Sequence, residues 1–442
     1  MDKPIKIVYN WIGPYGPIPN HEVPNLLNLS CVSEATQVNS TNFWADSLWH
    51  LVFCNQPGYT LGPTHYLRED DIFIYPFTLP WRINFVDYFY NNSGIFEYSH
   101  TPNSVLHNVK INRGFLLFEC AAEVYVRPNQ LRSMHTYLEH NNIPKNKVIY
   151  LTGCMNANEL YNNFCDSNGI GQSDRMNIFS YPVLQESLAM YFNHYKPNEP
   201  EYDCERIPEK LFLSWNRRFR PHRVALVYTL NKLGLLDRSY ISVGLTDPEN
   251  QSVHISTQLN DYLVQRFDIT SDDKNNLISK LPLVLDAETN VNQMCQDFND
   301  ATRPYYQNSL VSIITETSFD DIEVSLTEKS FKPVKEKHPW ISLGASGTLQ
   351  ALRDMGFKTF NEFWDESYDN IKNSQDRFTR VLEVCRDIGT WDSNKIKDFR
   401  YRVKPILDHN YETLKIKYTD TITQNIKSRI FDVIREKYQD NI

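Results

Sequence analysis

A two-domain α/β protein with a helical tail is what this sequence predicts, on three observations. The chain has 442 residues, beyond the size at which a single hydrophobic core stops growing, so two domains of roughly 200 residues each are expected. Strand, helix and strand follow one another between Gly114 and Gly153 at the spacing of a crossover unit, which implies a parallel sheet. The same strand–helix order begins again at Lys210, after a polar stretch that reads as a linker.

The elements follow in order. Ile5-Lys6-Ile7-Val8-Tyr9 is a first strand, stopped by Gly13-Pro14-Tyr15-Gly16-Pro17. Phe115-Leu116-Leu117-Phe118 is a short apolar run with the character of a buried strand. A turn at Arg127-Pro128-Asn129 leads into a helix with Leu131, Met134, Tyr137 and Leu138 on one face, and Ile143-Pro144 ends it. Lys147-Val148-Ile149-Tyr150-Leu151 is the returning strand. Residues 194–209 form the polar linker, and Lys210-Leu211-Phe212-Leu213-Ser214 opens the second unit. Its helix carries Val224, Val227, Leu230 and Leu233 and stops near Gly234. Leu281-Pro282-Leu283-Val284-Leu285 and Leu310-Val311-Ser312-Ile313-Ile314 are read as further strands. From about 406 to 442 the chain reads as a polar helix with Leu414, Ile422, Ile426, Ile430 and Val433 as its apolar positions. The expected domains are therefore 1–200 and 206–405, with 406–442 as a helix bracing the two.

Composition excludes several classes. Hydrophobic residues make up 41% and aromatics 13%, ample for packed cores, so a disordered chain, a collagen-like repeat and a small disulfide scaffold are ruled out. No run approaches the ~20 apolar residues of a membrane span, and Met1-Asp2-Lys3-Pro4 enters a strand without the apolar core of a signal peptide. The eight cysteines are scattered without a pair at metal-ligand spacing, so reduced thiols and a cytoplasmic location (host cytoplasm for a viral protein) are expected. A net charge of −9 means that overall charge does not hold the chain to nucleic acid, although a local basic groove is compatible with it.

Two stretches concentrate chemistry. Asn216-Arg217-Arg218-Phe219-Arg220-Pro221-His222-Arg223 follows a strand and opens a helix, where free N–H groups and the macrodipole favour an anion. A solvated surface run would have the same composition, but ligands of α/β sheets sit at strand carboxyl ends, which favours phosphate. The second stretch is Thr315-Glu316-Thr317-Ser318, at the end of the 310–314 strand, followed by Val324-Ser325-Leu326-Thr327-Glu328-Lys329-Ser330-Phe331-Lys332-Pro333. Thr327-Glu328-Lys329 read alone is an ordinary helix start with surface charge. Its pairing with the arginine cluster is what gives it meaning.

A strand ending in Glu316, an acidic loop and Thr327-Glu328-Lys329 opening a helix resemble the donor-site signature of fucosyltransferase-like glycosyltransferases. His338-Pro339-Trp340-Ile341-Ser342-Leu343-Gly344 is similar to the strand and glycine that follow that helix. The pattern through Leu352-Arg353-Asp354-Met355-Gly356-Phe357-Lys358-Thr359-Phe360 and Trp364-Asp365-Glu366-Ser367-Tyr368-Asp369 resembles a group of phage and giant-virus proteins. The resemblance spans about 210–370. It implies two Rossmann-like domains in a GT-B-like arrangement, an N-terminal acceptor domain and a C-terminal domain for a nucleotide-diphosphate sugar. It also implies that Lys329 pairs with the donor diphosphate, that Glu328 holds a ribose hydroxyl, and that Arg217, Arg218 or Arg223 adds a second phosphate contact. Positioned cations of this kind stabilise a departing diphosphate.

The catalytic base is expected from the N-terminal half. Glu119 and Glu123 follow the 115–118 strand, and Asp46 and His50, flanked by Trp44 and Trp49, are alternatives, as is His21. For each, a surface carboxylate or a satisfied histidine is the plainer reading. Trp11 and Tyr15 are candidates for lining the sugar or acceptor pocket, and Trp364 to Asp369 is read as a packing and helix-start motif. Asp70-Asp71 and Asp320-Asp321 lack the arrangement that holds magnesium under a diphosphate, so neither metal nor separate cofactor is expected. No Gly-x-x-x-x-Gly-Lys loop is present, which disfavours a phosphotransferase. The phage-like resemblance suggests a hydroxymethylated base in viral DNA as acceptor, with a glycan or protein acceptor, or a non-catalytic nucleotide or phospholigand-binding protein, as alternatives.

Overall fold

The computed structural model describes residues 5–9, 59–63, 68, 71–78, 103–111, 114–120, 124–181, 198–216, 218–247, 250–258, 270–283, 285 and 302–439. The chain divides into two compact units, one made of residues 1–183 and 420–442, the other of residues 184–419.

Among the described residues the first unit holds six strands: β1 (Ile5–Tyr9), β2 (Tyr59–Pro63), β3 (Phe73–Thr78), β4 (Gly114–Cys120), β5 (Val148–Thr152) and β6 (Asn177–Ser180). They form one sheet in the order β2-β1-β3-β4-β5-β6, with every pairing parallel. Parallel neighbours need crossovers, and helices α1 (Asn103–Lys110), α2 (Pro128–His140) and α3 (Ala157–Ser167) precede β4, β5 and β6. The apolar runs 115–118 and 148–151 are buried throughout, as strands covered on both faces require. Helix α2 starts at Pro128 after an extended Arg127, and it buries Leu131, Met134 and Leu138, the face its spacing predicted.

The second unit holds β7 (Lys210–Trp215), β8 (Ser239–Ser242), β9 (Ser309–Thr315) and β10 (Trp340–Leu343), in the order β10-β9-β7-β8 and again wholly parallel. Helix α4 (Pro221–Lys232) crosses from β7 to β8. It is buried almost all round from His222 to Leu230, so it is a central helix without a polar face; the predicted Leu233 lies beyond it and is exposed. Helix α5 (Ser271–Ser279) opens on a reciprocal Thr270–Asp273 capping box. Helix α6 (Glu328–Lys335) crosses from β9 to β10, and α7 (Thr348–Asp354), α8 (Ser374–Gly389) and α9 (Ser393–Gln439) follow.

Three expectations are corrected or sharpened. Among its described residues, Leu281 to Leu285 forms no strand and pairs only through the isolated bridge of Leu283 to Val243. An apolar run alone does not distinguish a strand from a buried connector. The tail helix begins at Ser393 rather than near 406 and carries Pro405 inside it, at an exposed position. The motif from Trp364 to Asp369 is a packing and capping device. Trp364 packs against Phe360 and Phe399, and Asp369 accepts from the Leu349 and Gln350 N–H groups at 2.9 Å each, closing the N-terminus of α7. Among the described residues no helix is long and apolar enough to cross a membrane.

Candidate functional site

In the second unit the strand order reverses between β7 and β9, and the crevice outside the carboxyl ends of those two strands is where open α/β sheets bind ligands. The two strand ends are tied. Thr315 Oγ1 donates to Asn216 Oδ1 at 2.9 Å, and Asn216 Nδ2 donates to Ser214 Oγ at 3.1 Å. His222 Nε2 donates to the Glu316 carbonyl at 2.8 Å, and its ring stacks on Phe319. Burial, reinforced by Arg223 beside it, pushes the His222 pKa down to about 3, so the ring is neutral and holds its proton on Nε2.

Glu316 is the hub. Its carboxylate is wholly buried and accepts from the Thr327 N–H at 3.1 Å, Ser330 Oγ at 2.7 Å and Thr327 Oγ1 at 2.6 Å. These bonds dock the first turn of α6 onto the end of β9. Thr327 is the helix N-cap, its hydroxyl accepting from the Lys329 N–H at 3.3 Å. Gly344, just past β10, permits the approach: a Cβ there would lie 2.7 Å from Thr348 Oγ1 and 3.4 Å from Glu316 Cβ.

Docked in this way, α6 presents Glu328, Lys329 and Lys332 to a cleft whose other walls include Trp215 and Thr315. Lys329 Nζ lies 2.5 Å from Glu328 Oε1, and both side chains are only partly exposed. Burial pulls the Glu328 pKa up, but Lys329 and Lys332 outweigh it and hold the carboxyl at about 2. The Trp215 indole meets Tyr305 edge-on at 5.5 Å, and its buried Nε1 has no hydrogen-bond partner among the described residues.

The predicted arginines separate. Arg223 is buried, and its guanidinium donates to the carbonyls of Thr315 at 3.0 Å and Arg218 at 3.3 Å. Burial lowers its pKa to about 10 against the opposing pull of Glu316. It is a cross-tie beneath the loop and a fixed positive charge beside Glu316. Arg218 is partly buried, and Arg217 lies outside the described residues. Arg220, absent from the predicted set, is partly buried and its side chain makes no ion pair or hydrogen bond among the described residues. Its signal was Pro221: a residue before proline is driven to extended backbone, so Arg220 stops short of the helix as its N-cap.

Of the candidate bases, the Glu119 backbone lies on β4, paired with Thr78 and Leu151. Glu123, Asp46, His50 and His21, with Trp11, Tyr15, Trp44 and Trp49, lie outside the described residues. Thus Glu316, Thr327, Glu328, Lys329 and Arg223 meet at one end of one sheet, and the base is not placed among them. Among the described residues no group of three or more His, Cys, Asp or Glu is arranged to hold a metal ion.

No protein-family model matches the chain, and no curated protein matches it. Among solved structures it is similar to a mutant O-GlcNAc transferase of Thermobaculum terrenum, with a TM-score of 0.45 and 11% identity over 100% of this chain and 69% of that one.

Proposed function

We propose that the protein is a glycosyltransferase with a GT-B-like pair of domains, whose second unit binds a nucleoside-diphosphate sugar at the β7/β9 crevice. The observation that carries this reading is the docking of α6 by Glu316, which holds Lys329, Glu328 and Lys332 over the carboxyl ends of parallel strands. In this reading Lys329 leaves Glu328 for the donor diphosphate, Glu328 turns to a ribose hydroxyl, and Arg220 supplies the second cation. Negative charge grows on the diphosphate as the glycosidic bond breaks, and ammonium and guanidinium groups already in position lower that barrier. Glu316, Thr327 and Arg223 position these groups without touching the ligand. The acceptor is proposed to be a hydroxymethylated base in viral DNA, on the resemblance of the 352–369 segment alone.

Thermal-shift measurements with UDP, GDP, CDP and ADP test the donor site. One diphosphate stabilises the protein well beyond its nucleoside, and Lys329→Ala weakens that binding by about 10- to 100-fold, the value of a charge-assisted contact. Unchanged binding by Lys329→Ala refutes the assignment. Mass spectrometry of hydroxymethylcytosine DNA, a glycan and a protein after incubation with donor decides the acceptor.

A further inference from the structure

At the other end of the same unit, a second pocket opens near the amino ends of β9 and β10 and contains about 510 Å³ of empty space, counting its open mouth. It is lined by Tyr202, Arg206, Gln307, Lys337, His338 and Arg400, among others. Nothing in the donor-site reading uses it.

Arg400 makes the pocket unusual. It is 96% buried, being 4% exposed, on the first turns of α9. Its hydrogen bonds among the described residues are confined to Nη2 donating to the Asp203 carbonyl at 2.5 Å; Nε is buried without a partner. The Tyr202 ring lies 4.7 Å from its Cζ, and the Tyr202 hydroxyl is itself buried and unpartnered. Among the described residues no carboxylate lies within ion-pair distance of Arg400. The other buried cation that lines this pocket, Lys337, is paired to Glu199 and to Asp408, the latter at 2.8 Å, and the lining carboxylate of Glu336 is engaged by Arg303 at 2.9 Å and Lys335 at 2.7 Å. A buried charge without a counter-ion is costly, and a guanidinium is especially suited to planar or tetrahedral oxyanions. A second guanidinium, that of Arg206, stands exposed at the mouth and among the described residues makes only long contacts, to Gln307 at 3.4 Å and Asn308 at 3.5 Å. Glu201 and Asp203 also stand at the rim, but both are exposed, where water and salt screen them.

We infer that this pocket is a binding site for a small oxyanion, a phosphate or carboxylate group gripped by Arg400 and Arg206, distinct from the donor crevice. The two sites share an element: α6 carries Glu328 and Lys329 at its start, and Glu336, Lys337 and His338 follow its end.

The test is calorimetric titration of the full chain carrying Lys329→Ala, which weakens the proposed donor site, with inorganic phosphate and separately with citrate. Saturable binding of either at one site per chain is expected, and which one binds assigns the class. Arg400→Gln and Arg206→Gln should each weaken it at least about tenfold, the loss of a charge-assisted contact. Absence of saturable binding by both anions, or undiminished binding in the variants, overturns the inference. Should Arg400→Gln fail to fold, the exposed Arg206→Gln decides alone.

Discussion

Glu328 and Lys329 form an ion pair at 2.5 Å, which under the proposed function a donor diphosphate would have to divide. The pair has a signature in acid. The Glu328 pKa is about 2 against an ordinary 4.5, so the unfolded state takes up this proton first as pH falls. The stability it contributes is complete above pH 4.5 and disappears as pH falls from 4.5 to about 2. Glu328→Gln should therefore remove one proton's worth of pH dependence in that window, seen as a shallower fall of urea stability; an unchanged slope would show that the pair is not formed. Glu316→Gln tests the hub. Its new amide N–H group would face donors from Thr327 or Ser330, so a loss of about 1–3 kcal/mol is expected in urea unfolding.

The elements around the site are short and rely on close fits. Gly344→Ala would drive a methyl into Thr348 and against Glu316, at an expected cost of about 1–3 kcal/mol, and Thr348→Ala in the same chain should recover part of it. Buried histidines lock two strand ends. His338, held near pKa 4 chiefly by burial, donates Nε2–H to the Ser309 carbonyl at 3.0 Å and accepts from Ser312 Oγ at 2.9 Å. It and His222 have folded pKa values below the ordinary 6.5, so their contribution is complete above pH 6.5 and is lost as pH falls toward 4 and 3. Replacing either by Gln should flatten the decline in melting temperature between pH 6.5 and 4. Such long-range locks leave no local pattern, so the elements are legible in the sequence while the site is only half legible. The Thr327 cap is local, whereas the acceptor that anchors it, Glu316, lies 11 residues away across an irregular loop.

For the molecule as a whole, the first compact unit is discontinuous, since residues 420–442 belong with 1–183. Ile430 and Ile434 on the last turns of α9 are fully buried, and Arg429 lies over the Phe179 ring at 5.0 Å. Ending the chain at 419 should therefore unfold the first unit before the second, visible as a split thermal transition. Ile430→Ala alone should cost about 2–5 kcal/mol, the usual range for emptying a core position. A single unsplit transition in the truncated chain would show that the tail contributes nothing to that core.

The sequence by itself determined the α/β class, the strands at 5–9, 115–118, 148–151 and 310–314, the start of α4 at Pro221 and the cap of α6 at Thr327. Apolar runs, proline and capping residues act through neighbours a few positions away, so they are readable in one dimension. Only the tertiary structure decided that β7 and β9 lie side by side, joined by contacts such as that of Ser214 to Ile313 across 99 residues. It also decided that Arg223 is buried as a tie while the Arg220 side chain stays unpaired among the described residues, and that Glu316 works from beneath the cleft. Burial and charge pairing depend on groups brought together from distant parts of the chain, and no local pattern records which groups those are.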